Sequence, residues 1–198
     1  MRLRVGRIEL IVVIFLIISL AANIYAQEKP IEKFLPDFYR VQFAGYTGLF
    51  TISAGKQLFN NRYSAGIGYG YTPYFIAHAE IHTVSIKQIL YSRKKIDFKD
   101  NTITPSLALS VALETGNNST LILPDKFPKN YYRTNSITFP LAIGLTCRHY
   151  TDNKKLKFVE FSIEGCTTAN YLLLLVYSRN PANYTKLFSI ALSLTAYY

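Results

Sequence analysis

The sequence is poor in several residue types on which other classes of protein depend. It contains no tryptophan, one methionine and only two cysteines, Cys147 and Cys166, among 198 residues. Two cysteines are too few for a scaffold built from disulfides. If a turn near residues 151–154 joins two paired strands, the two thiols lie too far apart along that hairpin to be bridged. We therefore expect two free thiols.

The sequence also lacks the motifs that mark common catalytic and cofactor sites. It has no Gly-x-Ser-x-Gly turn, no cluster with metal-ligand spacing and no glycine-rich loop that would hold a phosphate. His82 and Ser85 are spaced so that a strand would put them on opposite faces, which is unsuitable for a base and its nucleophile. The sequence therefore predicts no catalytic residue, no metal ligand and no cofactor.

The first 26 residues have the pattern of a secretory signal peptide. Basic residues Arg2, Arg4 and Arg7 precede an apolar run at residues 10–22, and residues 24–26 end in the small residue that a signal peptidase prefers. The apolar run is shorter than the roughly 20 residues that a membrane-spanning helix needs. We predict that residues 1–26 are removed after export through the general secretory route.

Positive charge predominates, with 22 Lys and Arg against 12 Asp and Glu. An exported protein of this kind is not expected to meet nucleic acid. The phosphate groups of membrane lipids are the more suitable anionic partner. An ordinary basic, solvated surface is the alternative explanation of the charge.

After Gln27 the apolar residues alternate with small or polar ones, which is the period of a β-strand. In residues 63–72, for example, Tyr and Ile occupy one face, whereas Ser and Gly occupy most of the other. Pro105 and Pro140 fall inside such segments and predict local bulges, because proline cannot donate to the ladder. The pattern predicts eight strands, near residues 47–58, 62–72, 80–91, 102–114, 135–149, 156–165, 170–178 and 184–198.

Residue size indicates which face of these strands is inside. The interior of an eight-stranded barrel is only wide enough for side chains to fill, so the Gly, Ser, Ala and Thr face fits within. The large apolar face then lies outside, where a continuous belt of this kind requires lipid. We therefore predict an all-β fold, an eight-stranded antiparallel transmembrane β-barrel at residues 47–198 that follows an N-terminal periplasmic segment at 27–46.

The last strand carries an apolar residue at every second position up to the final aromatic, Tyr198. This looks like the C-terminal signal that outer-membrane barrels present to the barrel assembly machinery. The many tyrosines also suit the aromatic girdles of such barrels.

In architecture the sequence resembles the small outer-membrane barrels typified by OmpA and OmpX. Five segments carry a closer resemblance, and they are 41–45 (VQFAG), 68–73 (GYGYTP), 81–83 (IHT), 123–132 (LPDKFPKNYY) and 188–192 (FSIAL). With them nearly the whole chain after the signal segment resembles an uncharacterised group of outer-membrane barrel proteins of the Bacteroidetes. This resemblance implies a fold and a location in a Gram-negative outer membrane, and no activity.

Five charged residues fall on the face predicted to be inside. Because unpaired charges are costly to bury, we expect these side chains to pair in an ionic network that plugs the lumen. The alternative is a gated ion path or a small acid/base site with a shifted carboxylate. The five residues are Lys87, Glu114, Arg148, Glu160 and Glu164.

A second set of charges lies in connections between the predicted strands. If both termini are periplasmic, the predicted strand order puts these connections outside, where basic groups would contact lipopolysaccharide phosphates. Ordinary solvated turn charges are the alternative. The basic residues concerned are Arg93, Lys94, Lys95, Lys154 and Lys155.

The longest connection, at residues 115–135, does not fit this arrangement. The same strand order puts it in the periplasm, although outer-membrane barrels usually keep their long loops outside. It is predicted to be an ordered lid or a docking surface for a periplasmic partner, unless residues 38–46 form a further strand and shift the order by one.

The sequence therefore favours a non-enzymatic outer-membrane protein with a structural or interaction role. Two alternatives stay open. One is an enzyme that modifies lipid A, because outer-membrane barrels that cut or transfer its acyl chains resemble this one in size. The other is a narrow channel.

Overall fold

A computed structural model of the chain describes residues 35–116, 136–152, 155–177 and 187–198. The predicted signal peptide lies outside these residues, as do Lys154 and residues 117–135 of the longest connection. Within the described part, no helix is long and apolar enough to cross a membrane.

The described residues form ten strands and two short helices. Two of the strands, β5 and β7, are short. In chain order the elements are β1 (Phe38–Phe43), β2 (Phe50–Leu58), β3 (Tyr63–Thr72), α1 (Tyr74–Ala77), β4 (Ile81–Tyr91), β5 (Ile96–Phe98), β6 (Asn101–Gly116), β7 (Ile137–Thr138), β8 (Pro140–Tyr150), β9 (Phe158–Thr168), α2 (Ala169–Tyr177) and β10 (Ser189–Tyr197).

The eight longer strands form a closed antiparallel barrel, as the sequence predicts. Around the barrel the order is β4-β3-β2-β1-β10-β9-β8-β6, and pairing of β4 with β6 closes the ring. The first and last strands are neighbours, with Phe38 opposite Tyr197. Because the ring is closed, each of these eight strands pairs with a neighbour on both sides over at least part of its length.

The two ends of the barrel differ in their connections. The end that holds Phe38 and Tyr197, here called the terminal end, also carries the connections at residues 59–62, 92–100 and 151–157. The opposite end, here called the mouth end, carries the connection at 44–49, α1, α2 and both ends of the 117–136 connection.

Two strand predictions are wrong. The number of barrel strands is still eight, because one strand is gained and one is lost. Residues Phe38–Phe43 are a barrel strand, so the barrel starts at Phe38 and not near residue 47. The predicted strand at 170–178 is instead helix α2. Its run of leucines has no alternating polar face, and leucine is a strong helix former. Adding β1 reverses the end to which each connection between β2 and β9 is assigned, so the 115–135 connection lies at the mouth end with the long α2 connection.

The face assignment is confirmed along the barrel. In β6 the inward Thr102, Ser106 and Ala112 are buried, whereas the outward Leu107 and Leu113 are exposed. In β3 Ser64 is buried and Ile67 is exposed. Small and polar side chains therefore fill most of the interior, and large apolar ones cover the outside.

The two prolines differ in outcome. Pro105 pairs in register with Leu145 of β8 on one side, but on its other side a bulge is present, because residues 92–95 between β4 and β5 lie opposite only residues 104 and 105. The bulge predicted at Pro140 is wrong. On either side of Pro140 the register against β6 is continuous, because Leu141 lies opposite Leu109 and Thr138 lies opposite Ala112. The proline interrupts the ladder between β7 and β8 without adding a residue to either strand.

Candidate functional site

The deepest charged group in the barrel is Glu160, whose side chain is 0% exposed. Arg40 Nη2 donates to its Oε1 at 3.2 Å, and Arg148 Nε donates to its Oε2 at 2.9 Å. Tyr91 adds a hydroxyl donor to Oε1 at 3.0 Å. One buried carboxylate is thus held between two guanidinium groups and a phenol, which offsets the cost of removing these charges from water.

Strand register brings these residues together. Arg40 lies opposite Thr195, Thr195 lies opposite Glu160, and Glu160 lies opposite Arg148. Directly opposite residues of neighbouring strands point to the same face. The four side chains therefore form one inward row, in which Arg40 Nε also donates to Thr195 Oγ1 at 2.7 Å.

An aromatic layer lies next to this row at the terminal end. Phe38, Phe158 and Tyr197 are buried against one another, and the rings of Phe158 and Tyr197 stack with centroids 4.3 Å apart. The guanidinium of Arg148 lies 4.1 Å from the centre of the Tyr91 ring and 5.1 Å from that of Phe158. Contact with aromatic faces provides further stabilisation of a cation that is held away from water.

A second ionic group lies closer to the mouth end. Lys87 Nζ contacts Glu164 Oε2 at 2.5 Å and donates to Gln42 Oε1 at 2.9 Å. Gln42 in turn donates to the carbonyl oxygen of Ala44 and to Thr47 Oγ1. This group ties β4, β9 and β1 together and connects them to the first mouth-end connection.

A small recess, open to solvent, lies above Lys87 and Glu164. Tyr46 lies at its rim, donates to the carbonyl oxygen of Leu187 at 3.1 Å and packs against the ring of Tyr171. Burial, with a smaller effect of Tyr171, raises the pKa of Tyr46, so this hydroxyl keeps its proton near neutral pH. The other lining residues include Gln42, Thr47, Ser110 and Cys166.

The structure distributes the five predicted lumen residues over three places. Lys87, Arg148, Glu160 and Glu164 make the ion pairs described above. Glu114 lies nearer the mouth and accepts a hydrogen bond from Thr138 Oγ1 at 3.2 Å. Arg40 was missed because the sequence analysis placed residues 38–46 before the barrel. The signal available was the alternation of Tyr39, Val41 and Phe43 with more polar neighbours.

The basic connection residues lie at the terminal end. Arg93, Lys94 and Lys95 follow β4, and Lys155 precedes β9. This placement corrects the argument for lipopolysaccharide contact, which assumed that these connections lie opposite the termini. Contact with lipopolysaccharide stays a prediction, and Lys154 lies outside the described residues.

His82 and Ser85 face opposite sides of β4, as predicted. Ser85 is buried inside, whereas His82 lies on the outer surface, where its Nδ1 is 2.5 Å from Tyr69 Oη. Nearby, Tyr71 donates to Glu80 Oε1 at 3.3 Å. These four side chains form an exposed polar patch at the mouth-end edge of the outer surface.

Cys147 and Cys166 are both free, and they lie on opposite faces of the barrel wall. Among the residues that the structure describes, no three His, Cys, Asp or Glu side chains are grouped as metal ligands would be.

Comparison of the chain with protein-family models and with curated protein sequences finds no match. The resemblance to the Bacteroidetes group therefore stays a prediction, and functional conclusions depend on the geometry of the barrel.

Proposed function

We propose that this chain is a non-enzymatic outer-membrane β-barrel protein whose lumen is closed by its own ionic and aromatic side chains, with a structural or interaction role in the membrane. One observation carries the proposal. Each of the eight barrel strands exposes large apolar side chains on its outward face, while polar and charged side chains fill the interior. This is the reverse of a water-soluble barrel.

The outward face is too apolar for water. The most exposed member is Ile143 at 72%, and strands on every side of the barrel contribute others, such as Ile52, Leu107 and Leu194. Soluble monomers rarely expose a continuous apolar patch larger than a few hundred Å². Strands of 9 to 11 residues, tilted by about 40°, give a belt roughly 25 Å high, which matches the hydrocarbon thickness of an outer membrane.

Aromatic residues flank this belt at both ends. Tyr39 and Tyr198 are exposed at the terminal end, and their rings pack 6.0 Å apart. Phe43 and Phe50 are exposed at the mouth end, with rings 5.3 Å apart. Aromatic rings favour the boundary between hydrocarbon and headgroups, so two girdles support a barrel that crosses one bilayer.

The interior contacts support a lumen that does not conduct. Glu160 is neutralised by Arg40 and Arg148, and Lys87 pairs with Glu164. An ion that passed would have to displace these pairs and then cross the layer of Phe38, Phe158 and Tyr197. Displacing the pairs is costly because their charges are held away from water. Crossing the aromatic layer is costly because the ion would lose its own water there.

Orientation follows from the connections. With both termini in the periplasm, the long connections at the mouth end face outward, which is the usual arrangement. The basic turns then face the periplasm, and a partner of residues 115–135 would lie outside the cell and not in the periplasm. In this proposal the last strand, which ends at Tyr197 next to the C-terminal Tyr198, is recognised by the barrel assembly machinery.

Membrane fractionation with gel electrophoresis of unheated and heated samples tests the location and the barrel together. We expect the protein in the outer-membrane fraction, with a faster band before heating that converts to a slower band after it. A protein that stays monodisperse in buffer without detergent would contradict the proposal.

Two further measurements separate the alternatives. Purified protein in a planar bilayer is expected to give no conductance steps, and regular steps would establish a channel instead. Lipid A mass spectra from a deletion strain are expected to match those of the parent, and a lost or added acyl chain would favour an enzyme.

A further inference from the structure

The connection from β4 to β5 contains a bulge made of basic residues. Tyr91 at the end of β4 lies opposite Ser106, and Ile96 at the start of β5 lies opposite Ile103. Four residues, 92–95, therefore stand against two residues of β6, 104 and 105. The two extra residues push the chain out of the sheet at Arg93, Lys94 and Lys95, which are all exposed. A bulge of this kind re-aims side chains at the rim of a barrel.

Next to this bulge, β5 continues the outer apolar surface beyond the barrel rim. Ile96 pairs with Ile103 of the belt and points to the same face, as does Phe98. These two side chains are 68% and 64% exposed. The opposite face of β5 is polar, because Asp97 accepts a hydrogen bond from Thr102 Oγ1 at 2.8 Å. The hairpin formed by β5 and the start of β6 therefore has an apolar outward face and a polar opposite face, as the barrel wall has.

Basic groups bracket the apolar pair. Arg93, Lys94 and Lys95 precede it, and Lys99 follows it with Nζ 5.9 Å from the centre of the Phe98 ring. Apolar side chains with cationic groups at their edge suit the boundary of an anionic bilayer. The apolar side chains enter the acyl region, while the cationic groups stay among the headgroup phosphates.

The described residues of the terminal-end connections carry a net positive charge. They hold three carboxylates, Asp97, Asp100 and Asp152, against seven Lys and Arg, which are Arg62, Arg93, Lys94, Lys95, Lys99, Lys155 and Lys157. Asp97 pairs with Lys95 at 3.2 Å. The excess of four positive charges complements a negatively charged membrane surface.

We propose that residues 92–99 form a lipid-binding hairpin that anchors the terminal end to anionic phospholipid, with Ile96 and Phe98 in the acyl region and Arg93, Lys94 and Lys95 on the headgroup phosphates. This inference rests on the proposed membrane location and adds a lipid class and a site. With the termini in the periplasm, the ligand is the anionic phospholipid of the inner leaflet and not lipopolysaccharide.

A tryptophan reporter provides the test, because the natural chain contains no tryptophan. The Phe98→Trp variant of the chain without residues 1–26 is folded into phosphatidylcholine vesicles. Half of the lipid is replaced by acyl-brominated phosphatidylglycerol or by acyl-brominated phosphatidylcholine, which quenches tryptophan in contact with it. We expect quenching to show a binding preference for phosphatidylglycerol of at least about fivefold, which is the factor that each basic group near an anionic surface supplies.

Two matched variants locate the preference. Arg93→Gln, Lys94→Gln and Lys95→Gln together are expected to abolish it in the Phe98→Trp background. Neutralising three basic residues outside the bulge, Arg62, Lys155 and Lys157, is expected to leave it. A second reporter, Phe75→Trp in α1 at the mouth end, is expected to show no preference between the two lipids.

The outcomes separate this inference from the proposed function. Equal quenching by the two lipids in a folded, heat-modifiable barrel would overturn the inference and leave the membrane barrel standing. Failure to fold in any vesicle would overturn both. Loss of phosphatidylglycerol quenching when lipopolysaccharide is added would assign the hairpin to lipopolysaccharide, and the same loss with inorganic phosphate would assign it to a free anion. Either result would contradict a phospholipid anchor.

Discussion

Arg40 and Glu160 meet inside the barrel with Nη2 and Oε1 3.2 Å apart, although 120 residues separate them in the chain. Arg40 is on the first strand and Glu160 is on β9, with only β10 between them in the sheet. The pair therefore forms only when the two ends of the chain have come together. It connects the closure of the barrel to the neutralisation of its most deeply buried charge.

Removal of this central charge should destabilise the barrel strongly. We expect Glu160→Gln to lower the free energy of unfolding by about 3–5 kcal/mol, because Arg40 and Arg148 are then buried without a counter-ion. The measurement is the fraction of heat-modifiable protein against urea concentration in lipid vesicles.

Asp97→Asn is the control for this variant. It removes one partner of the Lys95–Asp97 pair, in which both side chains are more than half exposed, so the urea midpoint should not change measurably. If Glu160→Gln unfolds at the same urea concentration as the control, the buried pair does not stabilise the barrel.

Glycines on the two faces of the wall should respond differently to the same substitution. A Cβ at inward-facing Gly70 would overlap the carbonyl oxygen of Thr47, whereas one at outward-facing Gly165 would lie 3.8 Å from the nearest atom, Ile143 O. We expect Gly70→Ala to cost about 1–3 kcal/mol of stability and Gly165→Ala to be tolerated. Urea unfolding checks this. A similar loss in the two variants would contradict the inward position of Gly70.

The reactivity of the two cysteines can show which face of the barrel wall each of them occupies. Cys147 is partly exposed on the outward face, and Cys166 is buried at the lumen recess. A lipid-soluble maleimide is expected to label folded protein in vesicles at Cys147 and to leave Cys166 unmodified until urea is added. Mass spectrometry of the labelled peptides, with Cys147→Ser as the control, checks this. Faster labelling of Cys166 would mean that the wall is inverted.

Much of the fold could be predicted because strand alternation is a local property of the sequence. Seven of the eight barrel strands lie near their predicted positions, and side-chain size indicates the faces of most of their residues. The strand Phe38–Phe43 was predicted only as an alternative, because its inward residues are large or charged: Phe38, Arg40 and Gln42 replace the small residues found elsewhere. Those residues fit because they complete the ionic and aromatic layers of the interior.

The partners within the lumen could not be predicted from the sequence. Register between distant strands decides that Arg40 reaches Glu160 and that Lys87 reaches Glu164, and alternation alone does not fix register. The end of the barrel at which a connection lies depends on the parity of the strand count before it. Omitting β1 therefore placed Arg93, Lys94 and Lys95 at the wrong end.

A charge in the middle of the belt distinguishes a lipid-exposed wall from a water-exposed one. Ile143 is 72% exposed near the middle of its wall segment, so in water Ile143→Arg would be nearly neutral. In a bilayer an arginine at the midplane costs about 2–4 kcal/mol. Phe75→Arg is the control, because Phe75 is 76% exposed but lies in α1, outside the strands. We expect the urea midpoint in vesicles to fall clearly for Ile143→Arg and little for Phe75→Arg. Equal midpoints for the two variants would mean that the belt does not face hydrocarbon, and the proposed membrane location would have to be abandoned.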